Sequence, residues 1–397
     1  MAKQLEEAAD FVMTYGGWYQ RTTLHLVEIF EFCAHGTSKL ALEKKELSRL
    51  HRQLRLKDVV RRPGTLEFLA METTDGITIR YFEDGLYVFE MPSTVARFAK
   101  DRILLEKYAQ DIFTPAIAYI FSHGAPTPKI LANIPVKHPI VLRYSTKEPG
   151  ELLLSKKSVG TVYSVLSVDA VTVHKTDECI IIASKPGTPH MEELVESHIF
   201  FREFKSQLEK YLSIHRTIWE KISDIKERKQ IRVKDLSQIR GVLDGYQKTV
   251  TLIGSRMQQM ASYSKTRAVL AQKLDIDTSL RELFAFKFET LNDTLEYVKE
   301  LWKMTIAYLQ SAITNVSDIQ GQGTQRGIQA LQVLTTVGAL NILVTLFVRK
   351  DLLIPTGYGS LYVLGILILS WSVMMTIKYI FQQKAYSLTF NDRNEDL

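Results

Sequence analysis

The chain has 397 residues, of which 46% are hydrophobic and 24% are charged, an ordinary composition for a globular protein. The net charge of +6 comes from interspersed charges of both signs, so charge alone does not indicate a nucleic-acid partner. The two cysteines, Cys33 and Cys179, have no CxxC spacing, which argues against a disulfide scaffold or a zinc site.

Residues 1–189 predict a cytoplasmic domain of the α+β class (α/β-type). The segment 1–60 is helical in pattern, whereas 65–185 contains short runs of β-branched and aromatic residues separated by turn residues. Asp84-Gly85 is predicted to be the turn of a hairpin. The predicted strands are 65–72, 77–82, 86–91, 139–145, 161–167 and 179–184.

One helix is predicted between these strands. Ser93 is a residue type that caps helices, and the following pattern extends to about Lys107. The apolar residues Val95, Phe98, Ile103 and Leu104 are predicted to face the core.

Eight lysine and arginine residues lie between positions 44 and 62. On a helix, Lys45, Arg49 and Arg52 would share one side. One interpretation is a solvated face paired with Glu43 and Glu46; the other is a site for a nucleotide or another small anionic ligand. The candidate residues of that site are Lys45, Arg49, Arg52, Arg55, Arg61 and Arg62.

Residues 190–320 predict a helical hairpin and a stalk. The segment 190–348 contains no proline and is rich in Glu, Lys, Leu, Gln and Ile. The apolar residues that recur at helical spacing in its last part predict one helix from about 278 to 348, roughly 100 Å long at 1.5 Å per residue. A helix of that length is typical of a stalk that bundles with copies of itself.

Two apolar stretches follow, 327–348 and 359–381. Each has about 20 residues without a charge at its centre, which is enough to cross about 30 Å of hydrocarbon. The alternative is a buried helical hairpin in a soluble core. The predicted plan is a first transmembrane helix at 321–348, a short outer loop at 349–358, a second transmembrane helix at 359–381 and a cytoplasmic tail at 382–397.

The topology follows from the ends of the chain. Acidic residues among the first ten interrupt the apolar core that a signal peptide needs, so the N-terminal domain is expected in the cytoplasm. Lys378, Lys384 and Arg393 fit a cytoplasmic C-terminus, whereas Arg349 and Lys350 in the outer loop weaken that count. We therefore expect a multi-pass protein of the inner (plasma) membrane.

Within the first stretch, one helix face carries small, hydroxyl and apolar side chains at three- and four-residue steps. Such a face suits a narrow, water-lined passage. The same residue types also let membrane helices pack closely without any channel. The candidate pore-lining residues are Leu331, Thr335, Gly338, Asn341, Ile342 and Thr345.

A cytoplasmic α/β domain, a helical hairpin and a long helix leading into the first of two C-terminal spans resemble the CorA family of divalent-cation channels and their ZntB relatives. The segment QALQVLTTVGALNILVTLFV (329–348) is similar to the first span of that family. The resemblance implies a homopentamer whose first span lines the pore and whose second span faces lipid. It implies no cofactor beyond a divalent cation, as the transported or regulatory ion.

The chain departs from the family at the outer mouth. The family's Tyr-Gly-Met-Asn loop is absent, and YGSL (358–361) stands later than expected. Five Arg349 side chains around a narrow mouth would repel a divalent cation unless Asp351 neutralised them or they pointed outward. The ion is therefore not necessarily magnesium. The candidate mouth residues are Arg349, Asp351, Tyr358 and Gly359.

These patterns predict an oligomeric CorA-like ion channel or transporter gated by its cytoplasmic domain. No catalytic constellation can be placed, so an enzyme is not expected. Two alternatives stay open: a CorA-like effector that accompanies type III CRISPR systems and is opened by a nucleotide messenger, and a non-conducting, membrane-anchored coiled-coil scaffold. The expected partners are membrane lipid, further copies of the chain and a small anionic or nucleotide ligand, with no nucleic acid.

Overall fold

The computed structural model describes residues 10–19, 25–121, 139–151, 159–226 and 231–348, seven separate positions between 365 and 379, and the pair 385–386. The side chains between 322 and 348 are described only in part. The chain divides into two compact units. Unit one comprises 1–212 and 252–300, and unit two comprises 213–251 and 301–397.

Unit one is built on a nine-stranded mixed sheet. Its strands are β1 Phe11–Trp18, β2 Leu56–Arg62, β3 Phe68–Thr73, β4 Thr78–Phe82, β5 Leu86–Ser93, β6 Ile140–Ser145, β7 Val162–Val168, β8 Val171–Thr176 and β9 Cys179–Ser184. Their order is β2-β3-β4-β5-β1-β6-β9-β8-β7. The β6–β9 pair is parallel, and the other described pairs of this sheet are antiparallel. The α+β class predicted from the sequence is confirmed.

Eight α-helices are described. They are α1 Leu26–His35, α2 Lys44–Leu54, α3 Phe98–Lys107, α4 Thr114–Phe121, α5 Met191–Lys226, α6 Val233–Lys273, α7 Asp277–Phe284 and α8 Phe288–Val348. A π-helical turn, Tyr108–Phe113, joins α3 to α4. Helices α1 to α4 share a hydrophobic core with the sheet. In unit two, the short strands β10 Ile231–Arg232 and β11 Ala385–Tyr386 pair antiparallel.

The strand at the centre of the sheet, β1, was missed by the sequence analysis, which predicted helix throughout 1–60. Nearly all of β1 is buried, so its sequence FVMTYGGW lacks the apolar-polar alternation that marks a half-exposed strand. A Cβ added at Gly16 would lie 2.8 Å from the carbonyl oxygen of Tyr87 and 3.1 Å from the side chain of Ile199. Gly16 and Gly17 thus weaken the sequence pattern of a strand but allow β1 to pack closely against its neighbours.

The predicted inward face of α3 is confirmed at Phe98, which is buried, but is wrong at the three other positions. Ser93 ends β5 rather than capping a helix, and its hydroxyl donates to Asp101 at 2.7 Å. Val95, Ile103 and Leu104 are 43%, 54% and 36% exposed. Because Ser93 holds the buried Asp101 against the sheet, the helix presents a different face to the core than apolar spacing indicates.

The long helix begins later than predicted. Ala285 adopts a left-handed conformation with φ of 57° and ends α7, so α8 starts at Phe288 rather than near 278. Helix α8 has 61 residues and is about 90 Å long at 1.5 Å per residue. The described part of α8 extends to Val348. Among the described residues, no helix combines the length and the apolarity that a membrane crossing needs.

A buried ion pair ties the β4–β5 turn to α6. Arg267 Nε and Nη2 donate to Asp84 Oδ2 and Oδ1 at 2.7 and 3.2 Å, and both side chains are almost fully buried. The guanidinium lies 4.7 Å from the ring centre of Phe82 and 5.3 Å from that of Phe200. Two rings and two carboxylate oxygens therefore replace the water that Arg267 loses.

We predict that Arg267→Met lowers the free energy of unfolding by about 3–5 kcal/mol, because it leaves the Asp84 carboxylate buried without its partner. Chemical denaturation of the full chain measures this. The matched control is Arg281→Met, which removes an exposed arginine 3.9 Å from Glu289 and should change stability by less than about 1 kcal/mol. Equal effects of the two substitutions would contradict the assignment.

Candidate functional site: the uncharged stripe of the long helix

Helix α8 packs within unit two through one buried seam. Trp302 contacts His215 of α5, with 5.6 Å between the ring centres. Gln320 accepts a hydrogen bond of 3.3 Å from Arg240 of α6. The buried positions recur every three and four residues, the spacing of coiled-coil packing. They are Trp302, Thr305, Leu309, Ala312 and Val316.

A second row of residues with the same spacing is exposed on another face of α8. We call it the stripe. Apart from Asp318, its ten members are uncharged, and they are polar, small or apolar. The members are Met304, Ala307, Ser311, Thr314, Asp318, Gly321, Gln325, Ile328, Gln332 and Thr335.

The stripe differs from an ordinary solvated helix face, which carries charged side chains. Charged residues do occur elsewhere on the helix, such as Glu296 and Lys299, which form an ion pair of 2.7 Å. The stripe hydroxyls are also turned to the helix: Thr314 donates to the carbonyl of Gln310 at 3.0 Å, and Thr335 donates to that of Gln332 at 3.0 Å. Apart from Asp318, such a face can approach another helix or line a polar passage without desolvating charges.

The structure describes the exposure of two of the predicted pore residues. Thr335 is the last member of the stripe, and Gly338, which is half-buried, lies at the next three-residue step. The backbones of Leu331, Asn341, Ile342 and Thr345 belong to α8, but their side chains lie outside the described residues. The predicted mouth residues Arg349, Asp351, Tyr358 and Gly359 also lie outside them.

Seven positions of the second apolar stretch are described, and all are helical and exposed. Their spacing places them along one helix face. Ile368 is 58% exposed, Trp371 59% and Tyr379 64%. Large apolar side chains therefore face outward on a single chain. The positions are Gly365, Ile368, Trp371, Ser372, Met375, Thr376 and Tyr379.

No protein-family model, curated protein or solved structure matches the chain.

The three cations predicted to share a helix, Lys45, Arg49 and Arg52, do lie on α2, whereas the other candidate residues lie outside it. Helix α2 ends at Leu54, Arg55 has a left-handed conformation, and Arg61 and Arg62 lie on β2. The strand β2 is not predicted from the sequence, because its charged side chains conceal the alternation of apolar and polar residues.

Carboxylates accompany several of these cations. Arg49 pairs with Glu46 and Arg61 with Glu67, while Arg55 Nη1 lies 3.4 Å from an oxygen of Asp75. The hydrogen bond from Arg49 lowers the pKa of Glu46, and that from Arg61 lowers the pKa of Glu67. Lys45, Arg52 and Arg62 are exposed. The two elements thus separate the candidate residues, and the anion site stays a prediction.

No cluster of three or more His, Cys, Asp or Glu residues that could hold a metal occurs in the described part of the chain. The stripe was not recognised as a unit from the sequence, which singled out only its membrane end. Its signal was nevertheless present, because uncharged residues, with the exception of Asp318, recur at three- and four-residue steps from 304 to 335.

We predict that substitution by aspartate has different effects on stability at two adjacent positions, one on the buried seam and one on the stripe. Ala312→Asp places a carboxylate at a fully buried position and should prevent folding or lower stability by several kcal/mol. Ser311→Asp, on the exposed stripe, should change the stability of the single chain by no more than about 0.5 kcal/mol. Thermal unfolding in detergent at low protein concentration compares the two, and similar losses would refute the assignment of faces.

Proposed function

We propose that this chain is a CorA-like, oligomeric membrane channel or transporter in which the stripe of α8 faces the axis of the assembly. The observation that carries the proposal is the continuity of the stripe. It follows one helix for ten positions and extends into the apolar stretch 327–348. An exposed face with a single charged residue that leads into an apolar segment fits a bundle of identical helices.

The chemistry of the stripe favours a passage over a dry helix seam. A seam that only holds helices together is filled by large apolar residues, whereas Ser311, Thr314, Gln325 and Gln332 are polar. Repeated around an axis, these side chains would form a neutral, hydrated lining. Ile328 would add an apolar constriction near the membrane, in the place where gating by dewetting operates.

Asp318 would give this passage a negative charge. As the only charged member of the stripe, it would form a ring of carboxylates around the axis, one from each copy. Such a ring attracts cations and repels anions. The proposed cargo is therefore a cation. Because the chain lacks the Tyr-Gly-Met-Asn loop, we propose that the stripe and the residues of the outer mouth select which cation passes.

The remaining parts follow the family resemblance. The proposed assembly is a homo-oligomer, with five copies implied by the resemblance, in the inner membrane and with both chain ends in the cytoplasm. Unit one would supply the gating domain, and helices α5, α6 and α8 would connect it to the membrane. The exposed apolar face of Ile368, Trp371 and Tyr379 would contact lipid or the first span.

The proposal is tested by flux through liposomes that contain the purified protein, with magnesium, other divalent cations, potassium and chloride measured separately. We expect cation flux that Gly338→Trp abolishes, since a bulky side chain at this step would close the passage. Glu296→Trp, on the same helix but off the stripe, should conduct as the wild type does. Silence under every condition, from protein shown to be folded and oligomeric, would instead support the scaffold.

The role of Asp318 is tested by Asp318→Asn. We expect the ratio of cation to anion permeability to fall several-fold, because the ring loses its charge, while assembly is retained. Glu296→Gln removes a carboxylate from the same helix off the stripe and should leave the ratio unchanged. An unchanged ratio in Asp318→Asn would remove Asp318 from the passage.

Packing of copies along the stripe is tested by disulfide cross-linking. The two native cysteines are buried, so the background should be low. Under mild oxidation, Ser311→Cys should form covalent dimers, whereas Gln310→Cys, exposed on a neighbouring face, should not. Cross-linking of Gln310→Cys but not of Ser311→Cys would place another face at the interface.

A further inference from the structure

Five ionisable side chains meet where the N-terminal turns of α5 cross the sheet of unit one. Arg80 of β4 is the hub. Its Nη1 donates to Glu192 at 2.6 Å, its Nη2 lies 3.0 Å from Glu90, and its Nε lies 3.1 Å from Glu196. Arg143 of β6 lies 3.4 Å from Glu192 and 3.7 Å from Glu90. We call these five residues the charge cluster.

The charge cluster contains three carboxylates but only two guanidinium groups. With all five groups ionised, it would therefore carry one unbalanced negative charge. The side chains of Glu90 and Glu196 are only 13% and 9% exposed, so water cannot screen that charge well. Glu192 is different, because its side chain is 49% exposed and accepts hydrogen bonds from both arginines.

The two buried carboxylates receive weaker support. Arg80 approaches Glu90 and Glu196 closely, but its Nε and Nη2 form no well-aligned hydrogen bond in the described structure. Glu90 Oε1 is buried there without a hydrogen-bond partner. A buried carboxylate oxygen that has lost water without gaining a hydrogen bond favours the neutral form.

We propose that the charge cluster is a proton-binding site that makes the docking of α5 on the sheet depend on pH near neutrality. One proton neutralises the excess charge and removes the repulsion between Glu90 and Glu196. Loss of that proton places two buried anions side by side and loosens the first turns of α5. The proposal concerns the cytoplasmic unit and does not rest on ion conduction.

The electrostatics support Glu196 as the main proton carrier. Burial raises the pKa of Glu196 to about 7, against the attraction of Arg80. Burial also raises the pKa of Glu90, whereas attraction and hydrogen bonds from Arg80 and Arg143 outweigh burial and lower the pKa of Glu192. A proton in the cluster would therefore reside on Glu196 or be shared with Glu90.

Neighbouring charged groups do not remove the excess. Arg267 of α6 attracts Glu196 but is already paired with Asp84. Glu193, on the next position of α5, lies 3.6 Å from His190 and raises the pKa of Glu196 further. Arg202 and Glu203, farther along α5, pair with each other at 2.8 Å.

The direction of the effect follows from linkage. Because the pKa of Glu196 is higher in the docked state than its ordinary value of 4.5, docking takes up a proton. The resulting stabilisation is fully present below pH 4.5 and is lost as the pH rises through about 7. Other carboxylates with lowered pKa values act in the opposite direction, so the test must follow α5 locally rather than total stability.

The test is hydrogen exchange of the full-length protein at pH 6, 7 and 8, corrected for the intrinsic pH dependence of exchange. In the wild type, we expect protection of the amides in 194–204 to fall several-fold from pH 6 to pH 8. In Glu196→Gln, which resembles the protonated acid, protection should stay high across this range. Glu193→Gln removes the adjacent, more exposed carboxylate and should keep most of the pH dependence of the wild type.

A second measurement detects the proton itself. Infrared difference spectra between pH 6 and pH 8 should contain the band of a buried carboxylic acid in the wild type and in Glu193→Gln, but not in Glu196→Gln. Wild-type protection independent of pH would overturn the proposal, as would an undiminished pH dependence in Glu196→Gln. A carboxylic-acid band that persists in Glu196→Gln would overturn the assignment of the proton to Glu196.

Discussion

The buried pair between Asp84 and Arg267 is the constraint on which unit one depends. The β4–β5 turn needs a residue such as Gly85, whose φ is 87°, because a side chain there would collide with the carbonyl oxygen of Tyr19. The turn then presents Asp84, which accepts hydrogen bonds from the backbone of Leu86 and from Arg267. A charge that cannot reach water must keep its partner, so the turn and α6 have one stable arrangement.

The two faces of the sheet are covered by different means. Helices α1 to α4 bury a continuous apolar core, whose stability comes from removing surface from water and is insensitive to pH. On the face crossed by α5, the contacts include Arg80, Arg143 and three carboxylates. Ionic contacts of this kind contribute little net stability, but they respond to protons as apolar contacts do not. We therefore expect the docking of α5 on the sheet to be the contact in unit one that responds to pH.

Helix α8 has two faces, one buried and one exposed, whose residues recur with the same spacing. The positions from Trp302 to Val316 that pack on α5 and α6, and the stripe from Met304 to Thr335, both recur every three and four residues. They are separated in rotation about the helix axis, so the same helix can belong to its own chain's bundle and still offer a face to other copies. The proposed passage uses the second face, and Asp318 sets its charge.

Sequence pattern alone predicted the α+β class, most strands of unit one and the Asp84-Gly85 turn, because local periodicity and turn chemistry carry these features. It failed at β1, where burial on both faces removes alternation, and at the helix after Ser93, where the buried Asp101 rather than apolar spacing decides which side faces the core. Only the tertiary structure brought Arg80, Glu90 and Glu196 together, or showed that Ser311 and Ala312 face opposite environments. The physical reason is that charge balance and exposure depend on neighbours distant in the chain, which a local pattern cannot contain.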